Sequence, residues 1–244
     1  MSFSSAPVFV LALTAALAAQ AEVPAPRHAF AGDRLYLGGR ALEVGIAKNG
    51  AVGPSGVRPA GFRGTPFDVG VGLSGDLDGF GTGVELPIDY FLPGVPEERW
   101  SAGFLDADGA PVMASAAGRT ESFGDYTVSD LVDESVGGHL QATATALVAG
   151  RLRVQQTLSF DDDDRQLRVR VRVQNVSDAA LSDVRFLRSF DPDTSAFRGG
   201  SFTTENAILA TRRAGDLVEV VRAHTCSPTD PLLLGYGTRA PLCF

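Results

Sequence analysis

Residues 152–173 read LRVQQTLSFDDDDRQLRVRVRV and decide the fold class. Apolar and polar side chains alternate along both ends of this stretch, which is the period of a β-strand with one buried face. The polar residues 161–166 predict the loop of a hairpin between the two strands. With a third strand at 184–190, we expect residues 152–190 to form the centre of one large antiparallel sheet. Pairing Phe160 with Leu167 makes the register self-consistent. The next cross-strand pairs on the same inward face are then Leu158 with Val169, Gln156 with Val171, and Val154 with Val173.

The opposite face of this hairpin carries a row of arginines, Arg168, Arg170 and Arg172. Their predicted neighbours on the first strand are Ser159, Thr157 and Gln155. A guanidinium group can make two parallel hydrogen bonds to a carboxylate. The row is therefore a candidate contact for an acidic glycan or for the carboxylates of a partner protein, and the alternative is a solvated sheet face.

The aromatic residues Trp100, Tyr90 and Tyr126 are candidates for stacking on sugar rings. Packing in the core or at a sheet edge explains them equally well. Together with the arginine row, Trp100 forms the predicted ligand face.

The rest of the chain also reads as strands and turns. The sequence has 28 Gly and 14 Pro for turns, and its hydrophobic share of 44% can fill a core. The predicted strands are residues 35–37, 42–47, 67–73, 84–91, 100–105, 111–114, 126–133, 140–148, 184–190, 208–212, 217–222 and 232–236. Gly38 and Gly39 predict a turn with positive φ between the first two. We expect an all-β protein, an antiparallel β-sandwich or supersandwich with little helix, in one domain over residues 35–244.

The N-terminal residues predict export. Residues 1–21 resemble a signal peptide, with an apolar run at 8–18 and the small-x-small sequence Ala19-Gln20-Ala21. Residues 22–34 read as a linker. The mature protein would then be secreted, periplasmic or at the cell surface, with no transmembrane segment.

In an oxidising compartment the two cysteines, Cys226 and Cys243, are expected to form a disulfide worth roughly 3 kcal/mol by loop entropy. The end at Phe244, directly after Cys243, is compatible with either a fragment or a disulfide-pinned terminus.

The net charge of −8 argues against a general nucleic-acid partner and is compatible with cation binding. The best candidate is residues 74–85, SGDLDGFGTGVE, which match the calcium loop D-x-[DN]-x-[DN]-G-x5-E at Asp76, Asp78, Gly79 and Glu85. Ser74 stands where the first Asp belongs, and the predicted flanks are strands, so this would not be an EF-hand. The alternative is an Asp/Gly turn.

Other acidic clusters invite the same two interpretations. Asp191 and Asp193 flank Pro192 and could share one ion, or Arg188 could pair with Asp191 in a structural role. Residues 161–164 form a hairpin tip that is solvated, facing Arg165, or cation-binding. Asp106 and Asp108 predict a turn.

Nucleophilic catalysis finds little support in the sequence. The chain has no G-x-S-x-G elbow. Its histidines, His28, His139 and His224, lie far apart and outside zinc-binding spacings.

Four segments carry a resemblance to known proteins: LEVGI at 42–46, DYFLPGVPEERW at 89–100, VQNVS at 173–177 and RSFDPD at 188–193. Together they resemble a bacterial exported β-domain of surface and matrix proteins, which implies an all-β fold outside the cytoplasm. The long strands are also similar to the supersandwich of galactose-mutarotase-like proteins, which implies sugar contact. No position here matches the acid and base of a mutarotase.

Three functions follow as expectations. The first is a non-enzymatic secreted or cell-surface domain for adhesion or assembly, stabilised by Ca²⁺, with other surface proteins or glycans as partners. The second is a carbohydrate-binding or carbohydrate-active domain, in which Trp100 and the arginine row contact a glycan. The third is a homo-oligomeric subunit of a filament or surface layer.

Overall fold

The computed structural model describes five segments with side chains and three as backbone. The former are residues 26–64, 69–76, 78–83, 88–91 and 98–190, and the latter are 204–210, 220–225 and 233–237. No helix lies in these segments, and the prediction of an all-β fold is confirmed. The strands are β1 (Arg27–Ala31), β2 (Arg34–Gly38), β3 (Leu42–Ile46), β4 (Leu73–Gly75), β5 (Ile88–Asp89), β6 (Glu98–Leu105), β7 (Pro111–Ala117), β8 (Tyr126–Asp133), β9 (His139–Val148), β10 (Leu152–Asp161), β11 (Arg168–Asn175), β12 (Ser182–Phe190), β13 (Thr204–Ala210), β14 (Val220–Thr225) and β15 (Leu233–Gly237).

These strands form four antiparallel sheets. One has five strands in the order β1-β2-β3-β4-β5, and another, here called the platform sheet, has the order β11-β10-β9-β8. A third, here called the β6 sheet, has the order β12-β6-β7, and β13-β14-β15 form the fourth. Since neighbours along the chain are mostly neighbours in a sheet, most connections are hairpins.

The register of the central hairpin agrees with the sequence prediction. In the β10–β11 pair, Leu158 lies opposite Val169 and Thr157 lies opposite Arg170. The inward side chains of β10 are buried, whereas every second residue of β11, beginning with Arg168, is exposed. The alternation of apolar and polar residues therefore reports the two faces of the sheet correctly.

The strand that follows this hairpin does not extend the same sheet. β12 pairs with β6, with Phe186 opposite Ala102 and Arg188 opposite Trp100. The expectation that residues 152–190 form the centre of one large sheet is therefore wrong at its third strand. β11 consequently lies at the edge of the platform sheet.

Two apolar clusters show how the sheets pack as a sandwich. In the first, residues of the five-stranded sheet, such as Leu37 and Val44, pack against Leu140 and Phe160 of the platform sheet. In the second, Trp100 and its neighbours in the β6 sheet pack against the other end of the platform strands. One layer is therefore the platform sheet, and the other layer consists of the five-stranded sheet and the β6 sheet, which each cover part of its inner face.

A buried ion pair lies where these sheets meet. Arg188 donates from Nε to Oε1 of Glu98 at 2.7 Å, and both side chains are only 4% exposed. The Nη1 of Arg188 donates to Oε1 of Gln156 on β10 at 2.7 Å. The other carboxylate oxygen of Glu98 accepts from the N–H of Val52 at 2.7 Å. Each buried charge thus has a partner, as burial in a low dielectric requires.

A glycine completes this junction. Gly50 has φ +85°, and a Cβ atom there would lie 2.8 Å from Nε2 of Gln156 and 2.9 Å from Ala144. Its carbonyl accepts from Nη2 of Arg188 at 3.5 Å. Only a residue without a side chain fits this turn against the platform sheet.

The N-terminal part of the domain differs from the sequence prediction. β1 lies within residues 22–34, which read as a linker, and it pairs with β2 along its whole length. Neither Gly38 nor Gly39 has a positive φ. A Cβ atom at Gly39 would instead lie 2.6 Å from the carbonyl oxygen of Asp162, so close approach of two loops explains this glycine.

We predict that Arg188→Leu destabilises the protein by about 3–5 kcal/mol, because the carboxylate of Glu98 would remain buried without its cation. Arg185→Leu is the matched control on the same strand, because Arg185 is exposed and should change stability by no more than about 0.5 kcal/mol. Urea unfolding of both variants measures the difference. A loss at Arg188 no larger than that at Arg185 would contradict the role given to the pair.

Candidate functional site

The outward side of the platform sheet is a mainly polar surface, here called the outer face. It is built from alternate residues of four paired strands, so its side chains lie in transverse rows. From β11 to β8 these rows are Gln174, Arg153, Leu147 and Thr127; Arg172, Gln155, Thr145 and Asp130; Arg170, Thr157, Thr143 and Val132; and Arg168, Ser159, Gln141 and Glu134. Asp161 and His139 continue the face on β10 and β9. The outermost strands are the most exposed, whereas Thr143 is buried.

The arginines stand along one edge of the outer face. Alternate residues of a strand lie roughly 6.6–7 Å apart, so three guanidinium groups are held close together. Arg168 pairs with Asp164 at 3.2 Å in an exposed contact. Within the described part of the chain, no salt bridge reaches Arg170 or Arg172. The predicted arginine row is therefore present and exposed, and two of its three guanidinium groups have no salt bridge to a described residue.

The opposite edge of the outer face is acidic. Asp130 lies opposite Thr145, and the N–H of Glu134 donates to the carbonyl of Gln141. The apolar Val132 lies between these two acids, opposite Thr143. The pairing shifts register between Val128 and Asp130, which marks a β-bulge. Sequence reasoning missed this edge because the bulge changes the phase of the alternation within β8.

A chain of hydrogen bonds crosses the middle of the outer face. The hydroxyl of Thr143 donates to Oε2 of Glu134 at 2.7 Å and lies 3.0 Å from the hydroxyl of Thr157. The Nε2 of Gln141 also donates to Glu134 at 2.7 Å. These bonds hold the acid of one edge in place, and Arg170 lies beside Thr157 at the other edge.

Trp100 does not belong to the ligand surface. It is fully buried, its Nε1 donates to the carbonyl of Asn49 at 2.8 Å, and its ring packs edge-on against Tyr126. A side chain with no exposed surface cannot stack on a sugar. The assignment of Trp100 to the ligand face is therefore wrong, and the core alternative is correct.

Arg40 joins two acidic loops that are separate in sequence. Its N–H donates to the carbonyl of Asp162 at 2.8 Å, and its carbonyl accepts from the N–H of Phe80 at 2.7 Å. Its guanidinium pairs with Asp163 at 2.6 Å. A cavity of about 240 Å³ at this junction is lined by Arg40, Ala41, Asp78, Gly79, Asp163 and Arg165. Charges of both signs therefore face this cavity.

The carboxylates of residues 161–164 have different surroundings. Asp161 pairs with Nδ1 of His139 at 2.6 Å. Burial and the neighbouring charge of Asp163 raise the pKa of Asp162. The tip is thus tied to residues outside the loop, including Arg40, rather than presenting four equivalent ligands.

The calcium hypothesis continues to rest on its sequence pattern. Ser74 is fully buried in β4, Asp76 is 5% exposed, and the carbonyl of Asp78 accepts from the hydroxyl of Thr82 at 2.6 Å. Glu85 lies outside the described residues, as do Asp191 and Asp193. Among the residues that the structure describes, no group of three or more His, Cys, Asp or Glu is placed to hold a metal ion.

Three further predictions remain, and the described residues bear on two of them. Asp106 accepts from the N–H groups of Asp108 and Ala110, so this segment forms the predicted turn. Cys226 and Cys243 lie outside the described residues, and their disulfide stays a prediction. Arg188, which the sequence offered as one possible partner of Asp191, is bound to Glu98. Asp191 lies outside the described residues, so its pairing stays a prediction.

Comparison with protein-family models, curated proteins and solved structures found no match to this chain. The resemblances to exported surface domains and to mutarotase-like proteins therefore remain hypotheses. The described residues contain no helix that could span a membrane.

We predict that Ca²⁺ raises the thermal midpoint of the full chain if residues 74–85 hold the ion, because a ligand that binds only the folded state stabilises it. Asp78→Asn should abolish this shift, whereas Asp108→Asn, in the second acidic turn, should retain it. Melting curves with Ca²⁺ and with chelator provide the measurement. Equal midpoints in both conditions would contradict calcium binding by residues 74–85.

We predict that His139 titrates above the usual range of a histidine. Hydrogen bonds to Asp161 and then to Gln141 raise its pKa. The stabilisation from this pair is therefore complete below the unfolded-state pKa and is lost as the pH rises through the higher folded-state pKa. NMR titration should show the raised value in the native chain and a lower one in Asp161→Asn. An unchanged value in that variant would contradict this assignment.

Proposed function

We propose that this chain is a non-enzymatic β-sandwich domain of the cell surface or extracellular space that supports adhesion or assembly through its outer face. The observation that carries the proposal is the arginine row. Arg170 and Arg172 are exposed on a hydrogen-bonded sheet, with no salt bridge to the described residues. Like charges held this close repel one another, and an anionic partner would relieve that repulsion.

The geometry of the platform sheet supports a surface role. A paired strand fixes the direction and spacing of its side chains, so β11 presents its guanidinium groups as a preorganised row. The chain as a whole carries a charge of −8, and its arginine row is therefore a local exception. Specific contact with carboxylates is the chemistry that such a row favours. The proposed location depends on residues 1–21, which are outside the described residues.

A carbohydrate-binding role is the second candidate. It is supported by the amides and hydroxyls beside the arginines, Gln155, Thr157 and Ser159, which could bind the hydroxyl groups of an acidic glycan. With Trp100 buried, the described residues of this face offer polar contacts rather than the predicted tryptophan platform.

We predict that the full chain binds polyanions through the arginine row at low salt. Suitable probes are polygalacturonate and heparin for acidic glycans and polyglutamate for protein carboxylates, with dextran as the neutral control. Arg170→Ser with Arg172→Ser should weaken binding at least about tenfold, as expected for the loss of charge-assisted bonds. Binding should also fall as salt screens the charges.

The control is Arg165→Ser with Arg185→Ser, which removes the same charge from exposed positions outside the arginine row: Arg165 lies in the hairpin loop, and Arg185 lies on the other layer, where it pairs with Asp183. This control should bind like the native chain. Preference for the two glycans over polyglutamate would favour the carbohydrate role. Absence of binding to all three probes, or equal weakening in both double variants, would argue against contact between the arginine row and polyanions.

A further inference from the structure

Two rows of the outer face carry opposite charges at their two ends. Arg172 and Asp130 are the two ends of one row, and Arg168 and Glu134 are the ends of another. Adjacent strands lie about 4.8 Å apart, so the two ends of a row are separated by roughly 14 Å. These charges are therefore too far apart to pair within one molecule, and the face is positive along β11 and negative along β8.

We infer that the outer face binds the outer face of a second copy of this chain. Two copies can face each other across a two-fold axis that lies between the sheets, parallel to the strands and midway between β9 and β10. Such an axis exchanges the two edges but preserves position along the strands. It would place Arg172 over Asp130 of the second copy and Arg168 over its Glu134.

Between the charged ends of these two rows, Gln155 would face Thr145 of the second copy and Ser159 would face its Gln141, so hydroxyl and amide groups meet. In the other two rows Arg170 would face Val132 and Arg153 would face Leu147, so these rows add no charge pairing. A two-fold axis across the strands would instead place the arginine rows over each other, and repulsion disfavours it. An isologous interface is also the common form of a homodimer. Charge complementarity thus selects one partner and one orientation.

The size of the face predicts the strength of the contact. Four strands and about seven residues along each strand span roughly 19 Å by 23 Å. Each copy would bury roughly 440 Å², about half of the ~800 Å² typical of a stable interface. The pair should therefore be weak and salt-sensitive in solution. Many copies displayed on one surface would bind through avidity.

Charge exchange tests this pairing on the full chain. Arg172 and Asp130 suit the test because both are exposed and neither has a salt bridge to the described residues. Sedimentation velocity at protein concentrations up to about 1 mM covers weak dimers. We expect the native chain to dimerise in about 0.01 M salt and to dissociate in about 0.5 M.

Arg172→Asp and Asp130→Arg should each weaken dimerisation at least about tenfold, because each reversal acts at both symmetric contacts. The double variant should restore association to within a few-fold of the native chain. Arg185→Asp, at an exposed position on the other layer, is the control and should dimerise normally. Circular dichroism of each variant verifies the fold.

A native chain that stays monomeric in low salt would overturn the inference, as would single variants that dimerise normally or a double variant that fails to recover. The inference rests on the proposed role of the outer face, but the experiment can refute the dimer without refuting that role. Arginine-dependent binding of polyanions by a monomeric chain would leave that role intact and exclude only the second copy as partner.

Discussion

The structure depends on the buried ion pair between Arg188 and Glu98. Removing two charges from water is costly, and it is offset here because Gln156 of the platform sheet, together with the N–H of Val52 and the carbonyl of Gly50 in the segment after β3, supplies hydrogen bonds. The pair is therefore satisfied only when the β6 sheet, the platform sheet and the segment after β3 are in place together. A hydrophobic contact at this point would tolerate sliding, but directed hydrogen bonds do not.

This junction has a consequence for the surface of the molecule. β12 carries Arg188 and pairs with β6, so it leaves the hairpin that precedes it in sequence. β11 is then the last strand of the platform sheet, and its arginines form a charged margin. The acidic margin on β8 arises at the other side of the same sheet. The buried charges thus fix which strand ends the sheet, and the exposed charges at its two margins give the outer face its polarity.

Much of the local structure could be predicted from the chain. Alternation of apolar and polar residues gives the strand period, and the hairpin loop at 161–166 leaves one register that turns the valines of β11 inward, where they are half-buried. The hairpin of β2 and β3, the strand β8 and the turn at Asp106 were also predictable. In each case the deciding interactions join residues close in sequence, so composition and spacing carry the information.

The partner of β12, the burial of Trp100 and the contacts of Arg40 with two loops were decided by tertiary structure. All depend on groups far apart in sequence: Arg188 and Glu98 are 90 residues apart, and Arg40 and Asp163 are 123 apart. A period of two shows that a strand has two faces, but not which neighbour covers each face. By itself the sequence determined most of the strands, the register of the central hairpin and the arginine row. Only packing decided which layer each strand joined and which charges remained exposed, because burial and charge pairing are settled between distant segments.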